Sequence, residues 1–482
     1  MTEQFACPTL RPTLRMLSDE QIRTIHNASL DILSGTGIEM RHEGARTLLL
    51  DAGAWQSGNR IRIPEHLITR ALHTAPSRIP MHNRLGQLTM PLEEGKVYFG
   101  TGSDCQFTFD VETRERRPAV AEDVRRFAQL CDGLDQIDFV MSMGTPSDVP
   151  AMDHYVHSFI QMIRGTVKPN VYTAQNHQDM EDIYIIASAV AGGEAELRAK
   201  PFLLLYAEPI SPLLFNQESV SNLMFCAEKG IPGAYLPSPN TGGGGPITMA
   251  GALALGNAES LAGLLLTQLV RPGAPFLYGM NVAALDMQST IVAYGAPDWA
   301  QAMAAFSDMA RFYRLPVWGG AGATDSKVVD AQAGFEATST IMSAFMSRCN
   351  VVHDVGYMEY GSTSSMELLV ICDEIIRHTR FVMDGVEVSE RTLAREAIHR
   401  ARPGGGFFAD DHTLENWKAA QWRPRVIDRQ RYGNWQKRGS KDMATRANEW
   451  ARRILDEHQV PPLSEAAEAA IVDVLRRRAT AA

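Results

Sequence analysis

Hydrophobic residues in the middle of the chain occur in short runs, and stretches with helical spacing separate these runs. Eight runs follow one another between residues 97 and 356. Their continuous apolar character is typical of strands that are buried on both faces. Strands that alternate with helices predict a parallel sheet. The predicted strands are VYFGTGS (97–103), DFVMSMGT (138–145), PNVYTA (169–174), FLLLYAEPI (202–210), GAYLPSP (233–239), PFLYGMN (275–281), PVWGGAG (316–322) and NVVHDVG (350–356).

Eight strand–helix units predict an α/β fold, namely an eightfold (β/α) barrel of the TIM type. We assign the barrel to residues 96–385, with a hairpin at residues 105–119 inserted after the first strand. Residues 1–95 are predicted to form an N-terminal helical extension. Residues 386–482 are predicted to form a C-terminal helical tail that packs on the barrel through Trp417, Trp422 and Trp435.

Local signals define the first helix of the extension. Ser18 and Gln21 match a capping box, which marks the start of a helix. Gly35 is placed to end the same helix, because glycine adopts the left-handed conformation found there at little cost. Pro64 marks an early position of a later helix in the extension.

Composition and charge narrow the class of protein. The hydrophobic fraction is 45%, as in ordinary globular proteins, and the formal net charge of −10 argues against binding to nucleic acid. Six cysteines without a C-x-x-C pair indicate reduced thiols, and we therefore expect a cytoplasmic protein. The most apolar run, residues 250–270, contains Asn257, Glu259 and Gln268. It predicts a buried helix and no membrane span.

The active site of such a barrel lies at the carboxyl ends of its strands. Those ends carry polar residues that include Asp104, Glu208, Asn281, His353 and Asp354. Aromatic residues are also concentrated on the strands, and an aromatic cavity is a common way to hold a quaternary ammonium group. A single strand aromatic is more often part of the core, so that alternative stays open for each one. The aromatic residues are Tyr98, Phe99, Tyr172, Tyr206, Tyr235, Tyr278, Trp318 and Tyr357.

Two glycine-rich stretches and a few histidines raise other possibilities. Residues 240–251 have glycines suited to a phosphate loop but lack the spacing of a P-loop or a dinucleotide turn. In residues 317–336, glycines precede Asp325 and Lys327 at the predicted mouth of the barrel. A metal site has weak support, because His154 and His157 have no third ligand at a typical spacing.

Several separated segments resemble the trimethylamine methyltransferase family. The likeness covers nearly the whole chain and implies an eightfold barrel. Members of that family move a methyl group from an amine to the cobalt of a separate corrinoid protein, so the implied cofactor is a corrinoid (cobalamin) carried by a partner. The segments are residues 98–119, 122–138, 145–150, 319–336, 402–417 and 422–429.

One departure from the family's pattern points to a substrate class. The archaeal trimethylamine enzymes carry pyrrolysine, whereas this sequence contains only the ordinary twenty residues. It therefore resembles the non-pyrrolysine branch, whose members demethylate quaternary amines such as glycine betaine. A quaternary amine leaves as a neutral tertiary amine, so the transfer needs no general acid. The protein must exclude water and orient the donor.

We assign roles on this basis as hypotheses and name no catalytic residue. Tyr98, Trp318 and Tyr357 would surround the trimethylammonium group. His353 or Lys327 would meet the carboxylate of a betaine. Asp104 or Asp325 would balance the cation or fix those partners, and for Asp325 a helix amino-terminal cap is favoured over a direct substrate contact.

Other functions remain open at this point. The substrate could be proline betaine or carnitine, and the acceptor could be a folate. The chain could also be a betaine-binding barrel without catalytic activity, or a phosphate-ligand lyase that uses Lys327. For the leading interpretation we expect a corrinoid protein as partner, no nucleic acid, no membrane and a homo-oligomer.

Overall fold

The computed structural model describes residues 12–481, so Cys7 lies outside the described residues. The extension contains three helices as predicted, α1 (Asp19–Asp31), α2 (Glu43–Asp51) and α3 (Glu65–Thr74). It also contains five strands that the sequence analysis missed, because three to five residues are too few to show alternation. These are β1 (Ile38–Met40), β2 (Trp55–Ser57), β3 (Arg60–Arg62), β4 (Ile79–His82) and β5 (Leu88–Leu92).

The first helix begins as predicted, and its α-helical part ends at Asp31. The Ser18 side chain accepts a hydrogen bond from the Gln21 amide, and the Gln21 side chain accepts one from the Ser18 amide. A π-helical turn at Ile32–Thr36 carries the chain past Gly35, and Gly37 ends it with φ +76°. A Cβ atom on Gly37 would lie 2.6 Å from the carbonyl oxygen of Ile61, so glycine is required there.

The middle of the chain alternates between strands and helices. The strands are β6 (Tyr98–Phe99), β7 (Phe107–Phe109), β8 (Arg116–Pro118), β9 (Asn170–Tyr172), β10 (Leu203–Ala207), β11 (Leu214–Phe215), β12 (Gly233–Tyr235), β13 (Phe276–Gly279), β14 (Ala284–Leu285), β15 (Val292–Ala293), β16 (Val317–Gly320), β17 (Val351–His353), β18 (Tyr357–Met358) and β19 (Thr363–Ser364). The helices are α4 (Ala121–Gly133), α5 (His154–Gly165), α6 (His177–Ala191), α7 (Glu194–Ala199), α8 (Gln217–Lys229), α9 (Met249–Val270), α10 (Pro297–Tyr313), α11 (Ala331–Ser347) and α12 (Met366–Met383).

Seven of these strands form one curled parallel sheet in the order β6-β17-β16-β13-β12-β10-β9. Isolated parallel bridges join Gly100 to Phe139 and Val140 to Asn170. Residues 139–140 therefore lie between the two outer strands of the sheet. The predicted strand at 138–145 is reduced to these two residues, and Met143 adopts φ +56°, which ends extended backbone.

Alternation along the strands sends neighbouring side chains to opposite faces. On the outer face, Tyr172, Tyr235 and Tyr278 form hydrogen bonds to residues of α8 and α9. Trp318 and Leu204 belong to a separate cluster on the inner face. The predicted hairpin at 105–119 is also present, since β7 pairs with β8 in antiparallel orientation.

The hairpin formed by β4 and β5 closes the amino-terminal end of the sheet. Four of its side chains, Ile79, Met81, Met90 and Leu92, pack in the inner cluster. The Asn350 side chain, just before β17, donates hydrogen bonds from Nδ2 to the carbonyl oxygens of Glu93 and Lys96, which follow the hairpin. This end of the sheet is thus filled with apolar side chains.

The apolar run at 250–270 forms α9 and is a core helix. By length and composition it could cross a membrane, but 83% of its most apolar stretch is buried inside the protein. Glu259 on this helix accepts hydrogen bonds from the Leu213 amide and the Ser211 hydroxyl, which fixes the loop after β10.

The tail is helical. Helix α17 (Met443–Glu457) packs on α12 and α4, and α18 (Glu465–Ala481) packs on α6. Of the three tryptophans predicted to pack on the barrel, Trp422 lies against Arg377 and His378 of α12. The indole of Trp435 donates to the Lys441 carbonyl, and Trp417 lies against Arg423, so both make these contacts within the tail. The helices are α13 (Glu390–Leu393), α14 (Arg395–Ala401), α15 (Asp411–Ala420), α16 (Tyr432–Lys437), α17 (Met443–Glu457) and α18 (Glu465–Ala481).

Candidate active site

A cavity of about 380 Å³ lies at the carboxyl-terminal end of the parallel sheet. Its wall is built by residues at or beyond the carboxyl ends of several strands, so the fold brings distant parts of the chain together. The wall consists of Ser103, Asp104, Met141, Tyr206, Glu208, Ser238, Asn240, Asn281, Tyr294, His353, Asp354, Tyr357, Tyr360 and Gly361.

Three carboxylates and one histidine give the cavity its charge. Nδ1 of His353 lies 2.7 Å from Oδ1 of Asp354, and both side chains are buried. The Tyr206 hydroxyl donates to Glu208, and the Ser103 hydroxyl donates to Oδ2 of Asp104 at 2.8 Å. Among the described residues that line the cavity there is no lysine or arginine. The wall therefore favours a cationic ligand.

Burial shifts the titration of two of these carboxyl groups. It raises the pKa of Asp104, and the Ser103 hydroxyl and His154 oppose the rise only in part. It also raises the pKa of Glu208, against the hydrogen bond from Tyr206 and the charge of His353. A cation in the cavity would lower both pKa values, because an opposite charge stabilises the ionised form.

Tyrosine rings form the apolar part of the wall. Tyr206, Tyr294, Tyr357 and Tyr360 all line the cavity. Burial raises the pKa of Tyr206, Tyr294 and Tyr357, so these rings stay neutral. Neutral rings beside carboxylates are the combination that holds an ammonium group whose methyl groups cannot donate strong hydrogen bonds.

Trp318 lies beneath this wall. It is 1% exposed, and its ring centroid lies 4.8 Å from that of His353 and 5.4 Å from that of Tyr206. Trp318 therefore supports two residues of the wall from the inner core of the sheet.

Asp325 holds one loop of the cavity in place. Its carboxylate accepts hydrogen bonds from the backbone amides of Tyr294 and Gly295, each at 3.1 Å. The predicted capping role belongs instead to Asp330, which accepts from the Ala333 amide at the start of α11. Asp325 thus positions the Tyr294 ring without lining the cavity.

Two predicted site residues lie away from the cavity. Tyr98 begins its strand, and its hydroxyl donates to the Pro91 carbonyl at the opposite end of the sheet. Lys327 is exposed and donates from Nζ to the carbonyl oxygen of Asp325. The structure brings together Asp104, His353 and Tyr357, with Trp318 and Asp325 behind the wall.

The glycine-rich loop at 240–251 is a compact turn. The backbone amides of Gly242, Gly243 and Gly245 donate to carbonyl oxygens within the loop, and that of Thr241 donates to Ala283. These four donors are occupied, which disfavours the phosphate hypothesis.

Sequence reasoning missed two tyrosines of the wall. Tyr294 and Tyr360 lie in loops, outside the strand runs that drew attention to the other aromatics. A signal was available for Tyr294, since the connection from β13 to α10 is long and contains the small hairpin of β14 and β15. Long loops at this end of a parallel sheet often carry functional residues.

Comparison with known proteins agrees with this geometry. The model of the family described as trimethylamine methyltransferase (MTTB) matches residues 3–482. The chain therefore belongs to the trimethylamine methyltransferase family.

Individual relatives cover almost the whole chain. Trimethylamine methyltransferase MttB2 of Methanosarcina mazei is 32% identical in an alignment that covers 93% of this chain and 92% of the relative. Trimethylamine methyltransferase MttB of Desulfitobacterium hafniense is 30% identical, and the alignment covers 93% of this chain and 90% of the relative. Glycine betaine methyltransferase of Desulfitobacterium hafniense is 29% identical, and the alignment covers 97% of this chain and 98% of the relative.

A solved structure shares the fold. The monomethylamine methyltransferase MtmB of Methanosarcina barkeri superposes with a TM-score of 0.51 at 10% identity, covering 93% of this chain and 89% of that protein. The likeness supports a mixed α/β fold around a curled parallel sheet.

Proposed function

We propose that this protein transfers a methyl group from a quaternary amine to the Co(I) ion of a corrinoid on a separate protein. The observation that carries the proposal is the wall of three carboxylates and four tyrosines, without lysine or arginine among its described residues. Such a wall stabilises a permanent cation by charge and by the ring quadrupoles. We also propose that residues 139–140 complete an eightfold barrel.

The chemistry fits a donor that is already activated. The electron pair of Co(I) attacks the methyl carbon, and the C–N electron pair stays with nitrogen, which leaves as a neutral tertiary amine. No proton moves in this step. The side chains of the cavity are left with three tasks, namely to exclude water, to hold the ammonium group and to point one methyl group at the mouth.

Glycine betaine is the first candidate substrate. Its ammonium group would lie among the tyrosines and Glu208, and its carboxylate would meet His353. The raised pKa of Asp104 supports this arrangement, because a protonated carboxyl group can donate to the carboxylate of the substrate.

A quaternary amine without a carboxylate, such as choline, is the second candidate. The absence of lysine and arginine from the described wall favours it, because a carboxylate would face Asp104, Glu208 and Asp354. Neutral groups that can bind a hydroxyl are present on the same wall, in Ser238, Asn240 and Asn281.

The partner would approach the cavity across exposed apolar side chains at its rim. Ile247 and Met287 are 65% and 67% exposed. Both contact the position of Gly242, since a Cβ atom there would lie 3.0 Å from Ile247 and 3.2 Å from Met287. They form a continuous patch beside Asn240 of the cavity wall. We propose that the corrinoid protein docks on this patch.

A reducing compartment suits this chemistry. The five described cysteines are free and buried, which supports the cytoplasm as the site of action.

The proposal is tested by mixing the protein with Co(I) cobalamin and, in separate reactions, glycine betaine, choline or trimethylamine. We expect amine-dependent loss of the Co(I) absorbance with at least one quaternary amine and none with trimethylamine. Tight binding of a quaternary amine without any loss of Co(I), also with corrinoid proteins as acceptors, would identify a binding protein instead.

A further inference from the structure

A second cavity, of about 630 Å³, lies at the rim of the amino-terminal end of the sheet, beside the hairpin that closes this end. Its walls come from the base of the β4–β5 hairpin, the ends of α10 and α11, and the residues that lead into β16 and β17. Its size is in the range of pockets that hold small ligands. The charged residues of its wall are Arg78, Glu93, Glu94, Arg311, Arg314 and Arg348.

Two of the four arginines already have partners. Arg78 pairs with Glu93, with Nε 2.7 Å from Oε2. Arg311 pairs with Asp308 and donates from Nη1 to the Ser347 carbonyl oxygen at 2.6 Å. These two arginines are therefore fixed parts of the wall.

The other two arginines, Arg314 and Arg348, have free guanidinium groups. Within residues 12–481 neither side chain has a hydrogen-bond acceptor or an ion-pair partner. The acid of the wall outside the described pairs is Glu94, so two free positive charges stand against one negative charge. A guanidinium group binds carboxylate and phosphate oxygens in pairs, and the wall therefore suits an anion.

The backbone at these two arginines is a second, independent sign of a role for their side chains. Helices α6 and α8 end in Gly192 and Gly230, which adopt the left-handed conformation. Helices α10 and α11 end in the same conformation, but with Arg314 and Arg348, both at φ +58°. This conformation is unfavourable for a residue with a Cβ atom. A positive charge for the helix dipole does not require it at α10, because Arg311 already lies in the last turn.

We propose that this cavity binds a small dianion, whose phosphate or carboxylate oxygens are held by Arg314 and Arg348. Two free guanidinium groups match a ligand with two negative charges. The cavity lies at the opposite end of the sheet from the candidate active site and has the opposite charge preference. Its ligand is therefore a different compound from the methyl donor.

Calorimetric titration of the full chain with inorganic phosphate and, separately, with succinate tests the proposal at about pH 8, where both are dianions. We expect at least one of them to bind, with an affinity that falls as salt is added, because Arg314 is exposed. Binding of phosphate would assign a phosphorylated ligand to the cavity, and binding of succinate alone would assign a dicarboxylate.

The variant R314G/R348G removes the two side chains and keeps the backbone, because glycine adopts the left-handed conformation readily. We expect each single variant to bind the anion about tenfold more weakly, and the double variant more weakly still, since hydrogen bonds to a charged group are lost. The matched control is R114G, at φ +63° in the turn between β7 and β8, outside the cavity wall. It should leave binding unchanged.

Thermal unfolding without ligand shows whether the variants fold. The melting temperatures of R314G and R348G should stay close to that of the wild type, because relief of the left-handed conformation offsets the extra freedom of glycine in the unfolded chain. Absence of binding of both anions at about 10 mM would overturn the proposal. So would an unchanged dissociation constant in folded R314G and R348G, or an equal loss of affinity in R114G.

Discussion

The two ends of the parallel sheet are built on the same strands but have opposite chemistry. At the amino-terminal end, Met81 and Met90 of the hairpin fill the space between the strands with apolar side chains. At the carboxyl-terminal end, the space is lined by tyrosines, carboxylates and a histidine. The first end contributes stability, and the second is the proposed ligand site. The boundary between them is Trp318, which packs in the apolar cluster and supports His353 from below.

The largest expected effect is a loss of stability from a substitution at the apolar, amino-terminal end of the sheet. M90A removes a fully buried side chain and should lower the free energy of unfolding by about 2–5 kcal/mol. Chemical denaturation measures the loss. L88A, on an exposed residue of the same hairpin, should cost less than about 0.5 kcal/mol. If the two ends are separate in function, folded M90A keeps its affinity for quaternary amines. A large change in the affinity of folded M90A for quaternary amines would contradict the functional separation of the two ends.

The next effect concerns the charge of the cavity. E208Q removes a carboxylate from the wall and should weaken quaternary amine binding about 30-fold, since losing one partner of a buried charge pair costs about 2 kcal/mol or more. Calorimetric titration measures the change. E218Q, the same substitution on an exposed residue of α8 outside the cavity, serves as control. An unchanged dissociation constant in E208Q would show that the carboxylate does not face the ligand.

A smaller loss of affinity is expected when a tyrosine ring of the cavity wall is removed. Y294L should weaken binding of a quaternary amine about tenfold, because a cation–π contact shielded from water contributes about 1–2 kcal/mol. The matched control is Y98F at the opposite end, which loses only the hydrogen bond to Pro91. Equal effects in Y294L and Y98F would contradict the division between the two ends.

The histidine distinguishes the two candidate substrates. H353A should weaken the binding of glycine betaine by about 1.5 kcal/mol or more, because a hydrogen bond to a charged group is lost. The same variant should change the binding of choline much less. Competition binding of both amines to the same variant measures the difference. Equal losses would remove the carboxylate-binding role of His353.

The smallest and most graded effect is the pH dependence. Burial raises the pKa of Asp104 and Glu208, so both carboxyl groups remain protonated at a pH where exposed ones are ionised. A cation prefers the ionised forms, and its affinity should therefore rise with pH as these groups lose their protons. Each proton released on binding changes affinity by at most about tenfold per pH unit. E208Q should flatten the curve, and a fall in affinity with rising pH would contradict the assignment.

The sequence predicted the strand positions well because each buried strand is a continuous apolar run. It could not assign side chains to faces, because strands that are apolar on both sides show no alternation to read. Tyr98 and Trp318 were therefore grouped with Tyr357, although Tyr98 lies at the far end of the sheet. Asp104, His353 and Tyr357 were found because strand ends converge in space. Tyr294 and Tyr360 were missed because loops carry no periodic pattern.

The most direct test of the cavity as a quaternary ammonium site compares choline with its neutral analogue 3,3-dimethyl-1-butanol, here called dimethylbutanol. In this compound a carbon atom replaces the positive nitrogen. The two ligands have nearly the same shape, so calorimetry on the wild-type protein isolates the contribution of charge. We predict that choline binds at least about tenfold more tightly, from cation–π and carboxylate contacts worth about 1.4 kcal/mol or more. Equal affinities, or tighter binding of dimethylbutanol, would contradict the account.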